Sequence, residues 1–201
     1  MEEKNVIIVT ESNKEIKKIG HMVMNLLSQF DNIKAVIWEE KYYISNEPTI
    51  PSTQPIIFIG ETQTAKLFID TIEWNYNELN MKYGWIGNRA ILYVQKKDLS
   101  EAECNQFKKS TKLQDEKIKD GTFFKKINNI SDKISNADIK IKIAGLIIGS
   151  FIMSPVVLGV TLFSFIKGGV DSAKIRKEQY TFLVKNFISD GILDFLGLTN
   201  D

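Results

Sequence analysis

"NVIIVTESNKEIKKIGHMVMNLLSQF", residues 5–30, decides the class of this chain. Residues 6–9 are Val, Ile, Ile and Val, and the polar stretch "ESNKE" follows Thr10. A short apolar, β-branched run bounded in this way predicts a strand buried on both faces. From Asn13 the period changes. Ile16, Ile19, Val23, Leu26, Leu27 and Phe30 recur at three- and four-residue spacing. That pattern predicts an amphipathic helix, with Ser12 or Asn13 as its cap. A buried strand leading directly into a helix is the opening unit of a parallel sheet with helices on both faces.

Working outward, "IKAVIWEE" (33–40) and "PIIFIG" (55–60) read as further strands. "ISNEPTIPSTQP" (44–55) holds three of the four prolines and reads as loop, so no helix is expected between the second and third strands. "TAKLFIDTIEW" (64–74) reads as a helix, and "RAILYV" (89–94) as the best-placed fourth strand. "LSEAECNQFKKSTKLQDEKIKD" (99–120) is helical, capped by Ser100, with Glu101 and Glu103 in its first turn. The expectation is a small Rossmann-like or flavodoxin-like parallel sheet domain over residues 1–120. An all-α, hydrophobic C-terminal region over 121–201 should follow it.

Composition excludes several functions. Lys+Arg 26 against Asp+Glu 25 gives no global electrostatic support for binding nucleic acid, which is not an expected partner. Cys104 and His21 are the only residues of their kinds, so an intrachain disulfide or a zinc site built from Cys and His is excluded, and no metal is expected. Both lie on predicted helices, where packing or surface roles suit them better than catalysis. No motif identifies a cofactor.

The C-terminal region is dominated by "KIAGLIIGSFIMSPVVLGVTLFSFIKGG" (142–169), in which the 24 residues 143–166 carry no charge. As one helix they would extend about 36 Å, against roughly 30 Å of bilayer hydrocarbon. Gly145 with Gly149, and Ser150 with Ser154, form small-x-x-x-small pairs that let helix backbones approach closely in lipid. Ser154-Pro155 has the form of a helix start, dividing the run into arms of about 143–153 and 155–167, each too short to span a bilayer. Lys140 and Lys142 precede the run, and Lys167, Lys174, Arg176 and Lys177 follow it. Cationic flanks that stay on one side favour a re-entrant hairpin over 143–166, with a single kinked span as the alternative. The stretch after it returns to an amphipathic pattern through Ile175, Tyr180, Phe182, Leu183, Phe187 and Ile188.

In a doubly wound sheet, ligands sit beyond the carboxyl ends of the strands. "TESNKE" (10–15) offers Thr10, Ser12 and Asn13 there. "GETQTAK" (60–66) offers Gly60, Thr62, Thr64 and Lys66. Hydroxyls and free N–H groups at helix starts make a phosphate cradle, although Glu11 and Glu61 would repel an anion and ordinary capping explains both loops. In "MKYGWIGNRA" (81–90), Trp85 is placed to stack a base and Arg89 to meet a phosphate. In "IEWNYNEL" (72–79), Trp74 precedes Glu78 by four residues, which resembles the tryptophan and catalytic glutamate of TIR domains. That resemblance implies a flavodoxin-like fold and NAD chemistry, with Glu78 as the catalytic carboxylate.

Two functions fit the layout. The first is a membrane-associated binding or effector protein, the better match to 143–166, whose α/β domain senses a small ligand or partner while apolar helices contact lipid and assemble homo-oligomers. Its acidic "MEEKNVIIVT" start lacks a basic leader, so the α/β domain is expected in the cytoplasm. The second is a soluble enzyme acting on nucleotides or similar small anions, with the apolar run buried in a helical core or dimer interface.

Overall fold

The computed structural model describes residues 4–28, 33–96, 99–119 and 172–197. The expected hairpin at 143–166, with Gly145, Gly149, Ser150, Ser154 and Pro155, lies outside the described residues. Six strands form one mixed sheet: β1 (Lys4–Thr10), β2 (Ile33–Glu39), β3 (Ile56–Ile59), β4 (Glu73–Glu78), β5 (Met81–Ile86) and β6 (Arg89–Val94). Their order is β2-β1-β3-β6-β5-β4. The first four in that order run parallel, and β5 and β4 continue as an antiparallel meander. The chain therefore leaves β1 on one side and returns on the other, which puts the topological switch point between β1 and β3.

Alternation along the strands divides the interior into two layers. Val6, Ile8, Ile57, Ile59, Ala90 and Leu92 join one cluster, whereas Ile7, Val9, Ile56, Phe58 and Ile91 join the other. The first layer is covered by α1 (Lys14–Leu27) through Ile16, Ile19, Val23, Leu26 and Leu27. α4 (Glu101–Lys119) adds Phe107 to it. The second layer is covered by α2 (Glu40–Asn46) and α3 (Gln63–Lys66), through Tyr43 and Ala65. Both expected caps form. Asn13 Oδ1 accepts from the N–H groups of Glu15 and Ile16 at 2.8 and 3.3 Å. Ser100 and Glu103 close a reciprocal capping box at 2.7 and 3.3 Å.

Three local expectations are corrected. A helix does stand between the second and third strands: α2 occupies part of the proline-rich stretch because Tyr43 anchors it, wholly buried and edge-on to Phe58 at 5.3 Å. The helix expected over 64–74 is the single short α3, and residues 73–78 are strand β4. The sheet accordingly has six strands, not four. A bulge between Trp74 and Tyr76 reverses the side-chain alternation, so Trp74 packs on the second layer and Tyr76 on the first.

The expected boundary near 120 falls at the edge of the described residues, and the chain then returns to the same core. α5 (Ser172–Asp190) and α6 (Ile192–Phe195) contribute Tyr180, Phe182, Leu183, Val184, Phe187, Ile188, Ile192 and Phe195 to the first layer. α4 and α5 are joined by Gln114, whose Nε2 donates to Phe182 O at 3.3 Å and Asn186 Oδ1 at 2.8 Å. An ion pair between Lys185 and Asp115 at 3.0 Å adds to that contact. Among the described residues, no helix is long and apolar enough to cross a membrane.

Candidate functional site

The carboxyl ends of β1, β3 and β6 converge at one edge. Glu11 N–H donates to Ile59 O at 3.3 Å, and Gly60 N–H to Leu92 O at 3.1 Å. Gly60 has φ +100°, the left-handed region that favours glycine. A Cβ there would stand 2.8 Å from the Glu11 carboxylate. This conformation turns the Glu61 N–H onto Glu11 Oε2 at 2.7 Å. The switch point is thus lined by two carboxylates whose side chains are only 14% and 15% exposed.

A cation from the far end of the sequence fills it. Arg176 Nη2, in the first turns of α5, donates to Glu11 Oε2 at 3.2 Å and lies 3.8 Å from Glu61 Oε1. Lys96 reaches Glu61 Oε2 at 3.1 Å from the more exposed side. The guanidinium carbon stands 5.6 Å from the Tyr180 ring centre. Burial opposes the charge on Arg176, but Tyr180, Glu11 and Glu61 outweigh it and raise its pKa. Two polar atoms here are enclosed without a hydrogen-bond partner, Thr10 Oγ1 and Arg176 Nε.

The residues proposed from sequence divide between this edge and others. Thr10 lies at the switch point, wholly buried at the end of β1. Asn13 and Thr62 are caps, the latter accepting from Ala65 N–H at 3.0 Å. Ser12 is exposed. The Thr64 N–H donates to Glu40 Oε1 at 2.9 Å, which occupies it within the fold. The N–H groups of Glu61, Thr64 and Ala65 are thus engaged within the fold.

Arg89 and Trp85 are at the opposite edge. Arg89 pairs with Ile56 and Trp85 with Ala90, at the amino ends of β3 and β6. That is about 10 Å along the strands from the Thr10 edge. Arg89 lies 4.0 Å from Glu47 and 5.7 Å from the Phe68 ring centre. Trp85 packs against Phe187 and Phe195, each at 6.3 Å. Glu78 is exposed at the end of β4, three strands from β3 and so roughly 14 Å from the switch point. Trp74, on the same strand, lies under Lys82 at 5.4 Å. These placements do not assemble a common pocket.

Among the described residues, no group of three or more His, Cys, Asp or Glu side chains is arranged to hold a metal ion. Cys104 donates to Leu99 O at 3.8 Å, and burial raises its thiol pKa. Arg176 was not among the residues proposed from sequence, although a signal for it exists. It shares the helical stripe of Tyr180, Leu183 and Phe187, an unusual place for a charge. Comparison with protein families, curated proteins and solved structures gave no match.

Proposed function

We propose that this protein is a membrane-associated binding module. A Rossmann-like body senses a small ligand or partner at the β1–β3 switch point, and the apolar run 143–166 attaches it to lipid as a re-entrant hairpin. The observation that carries this reading is the uncharged run itself, flanked by lysines on both sides. The fold adds support, because α4 and α5, which precede and follow the run in sequence, seat on the same layer of one core. An insertion whose two ends belong to one body suits a hairpin that enters and leaves on one side. The acidic pair at the switch point favours a cationic ligand over a phosphate, since an anion would meet Glu11 and Glu61.

Fractionation tests the attachment. The full chain should sediment with membranes, resist extraction by high salt, and dissolve in detergent. Ile148→Lys combined with Leu162→Lys should shift it to the supernatant, because each lysine costs about 3 kcal/mol at the centre of a bilayer. Wild-type protein recovered in the high-speed supernatant without detergent would refute the attachment.

A further inference from the structure

The start of α5 is held differently from the rest of that helix. Tyr180, Phe182, Leu183, Val184, Phe187 and Ile188 fill the core, whereas Ile175 and Arg176 are partly buried and Lys177 is exposed. This start is fixed by charge and by one hydrogen bond, from Gln179 Nε2 to Leu79 O at 3.1 Å. Arg176 meets Glu11 and Glu61 at 3.2 and 3.8 Å, and Lys177 meets Glu15 at 3.6 Å. The grip of Arg176 is incomplete. A single terminal nitrogen makes both contacts, in place of the two-pronged fork that arginine and carboxylates prefer. Its Nε is enclosed and unpaired, and so is Thr10 Oγ1 at the end of the adjoining strand. Unpaired buried polar atoms weaken the contact that encloses them.

We propose that Arg176 is the resident occupant of the ligand crevice, an autoinhibitory contact that a guanidinium-bearing ligand displaces. The ligand takes the Glu11–Glu61 pair when the start of α5 lifts away, and the helix from Tyr180 onward stays seated by its apolar contacts. The crevice suits a guanidinium because it combines two shielded carboxylates with an aromatic ring beside them. The inference rests on the switch point being the ligand site and is independent of membrane attachment.

The test uses the full chain with ethylguanidinium as probe. Arg176→Ala should melt below wild type and regain stability as ethylguanidinium is added. Wild type should respond only at higher ethylguanidinium, because the probe must first displace Arg176, and a wild type that never responds overturns the displacement. Arg176→Ala carrying Glu11→Gln and Glu61→Gln should not respond. No response in Arg176→Ala, or an equal response in all three proteins, overturns the proposal. If Arg176→Ala does not fold, Glu61→Gln carries the test by amide exchange. Exchange several-fold faster at 175–178, the effect of one weakened ion pair, with 180–188 unchanged, upholds the latch. A uniform change, or none, overturns it. Fractionation of the wild type bears only on membrane attachment, so the two readings fail separately.

Discussion

The phenolic oxygen of Tyr180 accepts a hydrogen bond from the backbone N–H of Val94 at 3.2 Å, joining α5 to the last residue of β6. Both residues are buried, so no water replaces the phenol if it is removed. Tyr180→Phe should cost about 1–3 kcal/mol, the penalty for an unsatisfied buried donor. A urea unfolding midpoint unchanged from wild type would show that the Val94 donor finds another partner.

Lys185 carries a charge into the α4–α5 contact, its side chain only 2% exposed, against 17% for Asp115. Removing the carboxylate takes an ion-pair partner from that buried charge, while removing the amine takes the charge itself away. Asp115→Ala should therefore cost about 3 kcal/mol, and Lys185→Met distinctly less. Denaturant melts of the two variants measure the asymmetry, and the reverse order would show that the pair does not govern this contact.

Gly60→Ala combines two penalties, a φ of +100° and a Cβ within 2.8 Å of the Glu11 carboxylate. A loss of about 2 kcal/mol is expected from the backbone conformation and the displaced acid together. Because Glu11 shifts, the protection of Arg176's turn in amide exchange should fall as well. Lowered stability with that turn still fully protected would separate Gly60 from the switch point.

Alkaline pH should destabilise the fold through its phenols. Burial, with the Glu47 carboxylate adding to it, pushes Tyr43 up to about 12, and burial pushes Tyr83 up to about 12. A folded pKa raised above the unfolded value of about 10 contributes stability that is complete below pH 10. That stability is lost as pH rises through about 12. Tyrosinate absorbance followed beside urea midpoints tests this, and titration of both phenols near 10 in the folded protein would contradict it.

The parallel half of the fold was legible because burial imposed a plain period. β1, β2, β3 and β6 are apolar or nearly so, and α1 and α4 announce themselves by spacing and caps. The meander was obscured by its bulge, since Trp74 and Tyr76 face opposite layers two residues apart and break the strand period. α2 is hard to read because one residue, Tyr43, supplies its buried anchor immediately before a proline-rich stretch. The site was harder still. The place of Thr10 at the switch point is legible because strand ends are predictable, but its neighbours Glu11 and Glu61 read from sequence only as obstacles to an anion. Their cation comes from Arg176, 165 residues away from Glu11, a distance that local pattern cannot bridge.

That distance orders events during synthesis. The ribosome delivers all six strands, then α4, then residues 120–171, and only afterwards the helix that supplies Tyr180, Leu183 and Phe187 to the first layer. Until α5 emerges, Val94 lacks its acceptor and one layer of the sheet lacks much of its cover. Closing the gap costs chain entropy that grows only slowly with the gap's length, so the delay is kinetic more than energetic. The uncharged run is therefore synthesised while the domain is still unfinished, before the core is sealed.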